Sequence, residues 1–464
     1  MYDLILNKEG VLYLQIYQHF THLIEENVLK EGDKLPSYRQ LAHDLGVSLN
    51  TIKAAYGQLF DEGYIIAKER CGFFVDKLNA YYLPGQVVHG QRLHLMEELD
   101  DDFEGFDFSP GRIDRRVLPR ASLQKANQQA YTQLLATNFF LSSEEKKSGW
   151  IPLRNQIATY LYQHRGFAVS AKQVIICQGY LDGLSKVLSL IDMKGLGLEE
   201  PGYSAAYQLG LEEGMYFQIP IDKYGFSVAD LEKTSANLAV VTPNHQFPTG
   251  IIMGIRRRQR LINWALRASD RYILEDDYDG DFRYRGKPIP ALKTLDQDDR
   301  VIFSGTFSKT LGPFMNVSYL VLPRSLYLKW QRDDQGGELA NLQQQMTLAN
   351  FMAQGEFDHH LRRMRTYYDK KQKAVIGYLE TYPGVELIGV DAGLFIVLRL
   401  DTNYWQQDVC PQWLLKHGLL IKRLDDYRRG HQSQVSGEWL LGFGQLTLEE
   451  IKEGLEHFFK LLKK

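Results

Sequence analysis

"VIFSGTFSKTLGPFMNVSY", residues 301–319, sets the reading of the whole chain. Val301–Phe303 is a short β-branched and aromatic run, which predicts a buried strand. The Ser/Thr/Gly-rich turn behind it carries one lysine, Lys309, and a second apolar run, "SYLVL", follows at 318–322. A lysine in such a turn is either an ordinary solvated side chain or an amine held at a ligand site. The sequence on either side decides which.

Three more apolar runs precede it: Val174–Cys177, Leu238–Val241 and Tyr272–Leu274, with amphipathic segments between most of them. That alternation predicts an α/β body with a parallel or mixed sheet covered on both faces. Ligands of such sheets collect beyond the carboxyl ends of the strands. The chemically distinctive residues fall there. Gly179 follows the first run, "TPNHQFPTG" (242–250) the second, "EDDYDGDF" (275–282) the third, and the Lys309 turn the fourth.

Together these residues form one inventory. A neutral lysine amine condenses with an aldehyde to an imine. Glu275, Asp276 and Asp277 are candidate partners for a protonated ring nitrogen, and Tyr278 for a ring hydroxyl. Thr306 and Ser308, with backbone N–H groups near Gly179, suit a phosphate. Tyr203, in "EEPGY", suits stacking on an aromatic ring. Pyridoxal 5′-phosphate (PLP) needs this set. Singly, each residue has a plainer reading: a surface lysine, a solvated acidic loop, a packing tyrosine. The order and spacing of the set favour the cofactor. No metal is expected, because the acidic run has no nearby histidine at ligand spacing. Cys71, Cys177 and Cys410 are too few and scattered for a disulfide framework or a zinc site, which suits a reducing cytoplasm.

The amino-terminal region reads differently. Ile16, Phe20, Leu23 and Ile24 form a helical stripe, with Gly32 expected to end the element. "LPSYRQLAHDLGVSLNTIKAAYGQLFDEGY" (35–64) reads as helix, tight turn, helix, with Ser37 and Ser48 as caps and Gly46 in the turn. Ile52, Ala55 and Leu59 face inward, so Asn50, Thr51 and Lys53 project from the other side, where a helix entering a major groove needs short polar groups and a cation. "YIIAKERCGFFV" (64–75) reads as two short strands around a turn, a wing with Lys68 and Arg70 near its tip. A three-helix packing module without a nucleic-acid role is the plainer alternative. Residues 1–77 hold 8 Lys/Arg against 11 Asp/Glu, and the whole chain is −3, so any DNA contact rests on a few well-placed cations rather than on bulk charge.

Three segments follow: a winged helix-turn-helix head at 1–77, a linker at 78–106 and a body at 107–464. The linker shows no sustained period and carries seven acidic residues and no basic one between Glu97 and Asp107, as a solvated tether does. No apolar run reaches the roughly 18 residues of a membrane span, and "MYDLILNKEG" lacks the pattern of a secretory signal. A cytoplasmic protein is expected.

"KLPSYRQLA" and "LGVSLNTIKAAYGQL" resemble the winged-helix heads of GntR-type bacterial transcription regulators. "EEPGY", "TPNHQFPTG", "EDDYDGDFRY" and "SGTFSKTLGP" resemble fold-type-I aminotransferases, and the two joined resemble a MocR-type regulator over nearly the whole chain. The resemblance implies a PLP-dependent transferase-like body with a mixed, mostly parallel sheet. It implies that Lys309 carries PLP as an imine, Asp276 pairs with the pyridine nitrogen and Tyr278 contacts the 3′-oxygen. Tyr203 would stack, and Gly179, Tyr180, Thr306 and Ser308 would line the phosphate cup. In the head, Ser37, Tyr38, Arg39, Asn50, Thr51 and Lys53 would approach double-stranded operator DNA. A homodimer is implied, each head lying against the other subunit's body.

Some positions depart from the family pattern. Asn316 stands where an arginine usually neutralises the PLP phosphate, seven residues after the lysine. Tyr180 and Leu181 are bulky where small or polar residues are usual, and Phe247 stands where asparagine often precedes Pro-Thr-Gly. Leu440 stands where aminotransferases hold a carboxylate-binding arginine, with Arg423, Arg428 and Arg429 as substitutes to be placed. The expected function is a DNA-binding regulator that senses PLP itself or a small amino-bearing effector, without turnover. The alternatives are a working aminotransferase with a vestigial head, and a degenerate body that no longer binds PLP and acts as a dimerisation or other ligand-sensing scaffold. Two charged runs are expected at the surface: "GIRRRQRLINWAL" (254–266) as a solvated helix face, and "FDHHLRRMRTYYDKK" (357–371) as a basic helix at a dimer interface.

Overall fold

The computed structural model describes residues 4, 6, 11–25, 28–68, 72–76, 103–136, 139–203, 209, 214–284, 290–332, 340–401, 409–429 and 437–462. It divides into two compact units, Met1–Phe103 and Glu104–Lys464.

The first unit contains α1 (Leu12–Glu25), α2 (Tyr38–Leu45), α3 (Leu49–Asp61) and an antiparallel pair, β1 (Ile65–Lys68) and β2 (Gly72–Val75). Ser37 Oγ accepts from Gln40 N and Ser48 Oγ from Thr51 N, so both serines cap helices that would otherwise start with bare N–H groups. Gly46 ends α2 at φ +65°, a conformation that disfavours a Cβ and lets α3 leave at an angle. Ile16, Phe20, Leu41, Ile52, Tyr56 and Leu59 meet in one core. Gly32 does not end α1, whose last helical residue is Glu25. It sits in a later turn, donating its N–H to Val75 O, and so belongs to the wing side of the unit.

The second unit is built on an eight-stranded sheet of order β4-β11-β10-β9-β8-β5-β6-β7. Its strands are β4 (Val174–Cys177), β5 (Leu196–Glu200), β6 (Tyr216–Asp222), β7 (Gly225–Phe226), β8 (Leu238–Val241), β9 (Tyr272–Asp277), β10 (Val301–Thr306) and β11 (Ser318–Val321). Strands β6, β5, β8, β9 and β10 pair in parallel. Strand β11 runs antiparallel between β10 and β4, which turns β4 back into the common direction. Val174 and Ile176 pack into one cluster with the helix Ile151–Arg165, while Ile175 and Cys177 pack into another with the helix Tyr180–Leu190. Both faces are therefore buried, which explains why these strands read as unbroken apolar runs.

A second sheet, order β12-β13-β16-β15, is formed by β12 (Val385–Ile388), β13 (Phe395–Leu400), β15 (Lys422–Arg423) and β16 (Glu438–Gly442). A short parallel pair, β3 (Phe106–Asp107) with β14 (Leu419–Leu420), ties the start of the unit to its end. The helices Glu356–Leu379 and Leu448–Leu462 pack with this sheet around Met364, Tyr368, Leu398 and Phe458.

Candidate functional sites

Because β4, β5, β8, β9 and β10 share one direction, their carboxyl ends open at one edge. A cavity of about 470 Å³ lies there, within the usual range for small-molecule sites. Lys309, Asp276, Tyr278, Tyr203, Gly179, Tyr180, Thr306 and Ser308 all line it. Glu275 and Asp277, the other two acidic candidates, do not: they turn into the body.

Lys309 lies in the short helix Ser308–Leu311 after β10. Phe307 anchors that turn, packed against Tyr160, Tyr319 and Phe357. Lys309 Nζ donates to Gly111 O at 3.1 Å. Burial lowers the pKa of this amine, and Asp279 and Asp276 partly oppose the shift. A larger share of the amine is therefore neutral at a given pH, the form a carbonyl requires. Asp276 sits one strand away, paired in register with Ser304. Burial, then the charges of Asp277, Glu199 and Asp279, push its carboxyl well above the usual range. No described residue donates a hydrogen bond to it. Such a group takes up a proton or a cationic partner, and a protonated ring nitrogen is one.

Tyr278 donates to His245 O at 3.0 Å, and His245 Nδ1 lies 2.7 Å from Asp279 Oδ2. Tyr203 is half-exposed, its ring 5.7 Å from that of Tyr180. Ser308 N donates to Thr306 Oγ1 at 3.2 Å. Gly179 has φ +84°, and a Cβ there would stand 3.0 Å from Asn316 Oδ1. Only glycine suits that turn at the start of the helix Tyr180–Leu190. The donor set fits PLP: an amine, a buried acid, a phenol, and hydroxyls beside a helix start. Asn316 also lines the cavity beside Gly179, and no Lys or Arg among the described residues lines that end.

Sequence reasoning missed the supports. Arg258 is not part of a solvated face. It is buried and donates to Met253 O, Pro243 O, Pro290 O and Asn244 Oδ1 at 2.8–2.9 Å, bracing the loop that carries His245 and Phe247. Arg165 pairs with Asp277 and Asp281 beneath the acidic run. His360 is also buried, and its ring Nε2 lies 2.7 Å from Thr310 O, directly behind Lys309. The helix Glu356–Leu379 sinks its Phe357, His360, Leu361, Met364 and Tyr368 stripe into the body's own core, while its Arg362 and Arg363 stay exposed. A signal was present. Arg258 shares its stripe with Leu261, Ile262 and Ala265, and both stripes follow i, i+3, i+4, i+7.

None of the three substitute arginines lines the cavity. Arg423 packs on Trp439, Arg428 pairs with Asp425 at 3.2 Å, and Arg429 donates its backbone N–H to Glu200. Leu440 is buried in β16. The cavity's second cation is Lys422, which sequence reasoning passed over.

In the head, Arg39, Asn50 and Lys53 are exposed, as is the capping Ser37. Thr51 is half-buried, its hydroxyl 2.8 Å from Ser48 Oγ. The Tyr38 ring packs against Tyr56 and Phe73, so much of it serves the core. Lys68 Nζ lies 4.6 Å over the Phe74 ring. Arg70 lies outside the described residues.

These two units define a winged-helix reader fused to a fold-type-I aminotransferase body. A family model described as "Bacterial regulatory proteins, gntR family" matches residues 12–75, and one described as "Aminotransferase class I and II" matches 142–429. The chain is 33% identical over 456 residues to the uncharacterized HTH-type transcriptional regulator YdeL of Bacillus subtilis, covering 96% of this chain and 95% of that protein. It is 29% identical to the probable rhizopine catabolism regulatory protein MocR of Rhizobium meliloti, covering 96% and 92%. The multiple substrate aminotransferase from Thermococcus profundus superposes with a TM-score of 0.67 at 21% identity, covering 81% of this chain and 96% of that one, a likeness of fold. The chain belongs to the MocR-type subgroup of GntR-family transcriptional regulators.

Proposed function

We propose that this regulator binds PLP at Lys309 and uses the same cavity to sense PLP itself or a small amino-bearing ligand. The observation that carries this reading is the convergence of eight sequence-picked residues on one cavity, with an amine in the turn after β10 and, on the adjacent β9, a buried acid that accepts no hydrogen bond from a described residue. Lys309 holds the aldehyde end, Asp276 the ring nitrogen, Tyr278 the ring oxygen and Tyr203 the ring face. Gly179, Tyr180, Thr306 and Ser308 receive the phosphate. Bound PLP supplies an electrophilic carbonyl and an electron-withdrawing ring. The chain's residues orient it and keep the Lys309 amine available.

Ser37, Arg39, Asn50, Thr51 and Lys53, with Tyr38 partly and Lys68 and Arg70 on the wing, approach operator DNA. A cytoplasmic homodimer, each head set against the partner's body, places two heads on paired half-sites. A ligand changes DNA binding only if it favours one arrangement of the heads over another. The test is direct. Full-length protein incubated with PLP and desalted should keep a visible absorption band, and Lys309→Ala should lose it. DNA footprints taken with and without PLP should differ. A colourless wild-type protein ends this reading and leaves a dimerisation or other ligand-sensing scaffold. Multiple turnovers of an amino acid to its oxo-acid would instead favour a working aminotransferase.

A further inference from the structure

The cavity has a second cation among its described lining residues, Lys422. Lys422 lies on β15, in register with Leu440 of β16. Neighbouring residues on a strand point to opposite faces. Arg423 accordingly turns inward onto Trp439, and Lys422 lines the cavity. Lys309 and Lys422 are the only Lys or Arg side chains among the described residues that line it. Lys422 makes no hydrogen bond or ion pair with a described residue. Asp426 feels its charge and accepts the Arg423 backbone N–H at 3.0 Å. Of the cavity's own acids, Asp279 is engaged with His245, and Asp276 acts by charge on Lys309. The same lining carries an apolar group, Leu394, Phe395, Phe247 and Tyr427.

Resting on the reading above, we infer that Lys422 is the anion receptor of this regulator, so that the effector is an amine with a carboxylate at its far end. The position at which aminotransferases usually hold an arginine is here a buried leucine, and the cation comes from the neighbouring strand instead. An ammonium on a flexible stem suits this task, because it reaches a single carboxylate without a fixed fork. Its distance from Lys309 sets the length of the apolar spacer. Amines without the anion forgo one charge-assisted hydrogen bond, and anions without the amine do not engage PLP.

The experiment uses full-length, PLP-loaded protein. Glycine, L-alanine, β-alanine and 6-aminohexanoate are each titrated against the decarboxylated amine of the same skeleton, with binding read from the change in the visible band. At least one acid should bind wild type about tenfold or more tighter than its amine, the range of one charge-assisted hydrogen bond. Lys422→Met should bring that acid to within about twofold of its amine, with amine affinities and the PLP band unchanged, and Lys422→Arg should keep most of the preference. A preference that survives Lys422→Met overturns the assignment, as does a wild type that binds every amine as tightly as its acid. Those outcomes leave PLP binding standing. A wild type without the band overturns the underlying reading and this inference with it.

Discussion

The head and the body handle charge in opposite ways. The head's core is apolar and aromatic, and its candidate cations, Arg39 and Lys53, stand in solvent. The body buries Arg165, Arg258, Glu275, Asp276, Asp277 and Asp281 behind and beside its cavity. Exposed charges act by graded, screened attraction, whereas a buried charge is costly once its partner is removed. Substitutions in the body should therefore be all-or-none, and those in the head incremental. The largest expected effect is at Lys309. Lys309→Ala should abolish the visible band entirely, while PLP-free protein of this variant binds DNA as wild type does. Partial retention of the band would place the attachment on another amine and break the contrast.

Next comes Arg258. Arg258→Met takes a donor from Met253 O, Pro290 O and Asn244 Oδ1, while Pro243 O keeps the Met253 N–H at 2.9 Å. Loss of roughly 3–5 kcal/mol of body stability is expected in urea denaturation, because several buried acceptors lose a charge-assisted donor at roughly 1–3 kcal/mol each. Arg256→Met, two residues away and exposed, should stay within about 0.5 kcal/mol.

The contrast between those two arginines also shows how far the sequence carries. Short-range rules placed Ser37, Gly46 and Ser48, because caps and a left-handed turn are local chemistry. The strands β4, β8, β9, β10 and β11 were legible as apolar runs, and the ligand edge followed from their shared direction. The eight cavity residues were legible as a set. Arg258 and His360 were not, because a run of cations looks solvated until its helical stripe is checked against its apolar neighbours. Lys422 stayed hidden for another reason: which of two adjacent residues faces the cavity depends on the register of β15 against β16, a long-range pairing.

Acidity gives a third test. Burial raises Glu199 and Glu275 from the ordinary 4.5 to about 7. Between those values the native state keeps protons that the unfolded chain has released. The stabilisation is thus full below pH 4.5, falls as pH rises, and is flat above about 7. Each group contributes on the order of 3 kcal/mol across that window. Glu199→Gln should flatten the decline in the body's melting temperature between those pH values, measured on PLP-free protein. An unchanged slope would assign the titration elsewhere.

Asn316 offers a gain instead of a loss. Asn316→Arg adds a cation at the cup end, where none is present among the described lining residues. PLP affinity should rise about tenfold or more, the worth of one charge-assisted hydrogen bond to phosphate. Equilibrium dialysis reads it. Unchanged affinity would mean that the phosphate does not lie beside Asn316, and the cup assigned to Gly179, Thr306 and Ser308 would have to move.

The smallest effects belong to the head, and they are the sharpest check on the comparison. Lys53 is exposed on the first turns of α3, and Arg39 is exposed on α2. Each should engage about one phosphate or base, so Lys53→Ala and Arg39→Ala should each weaken binding to the intergenic DNA upstream of the gene by roughly tenfold. The slope of the logarithmic salt dependence should become shallower by about 0.9 for each phosphate that is no longer neutralised. The two effects should add, because exposed groups without a shared partner do not couple. The visible band should stay as it is in wild type. If the double variant binds far more weakly than the product of the singles, the head's charges form a coupled network like the body's, and the division between a graded reader and an all-or-none sensor fails.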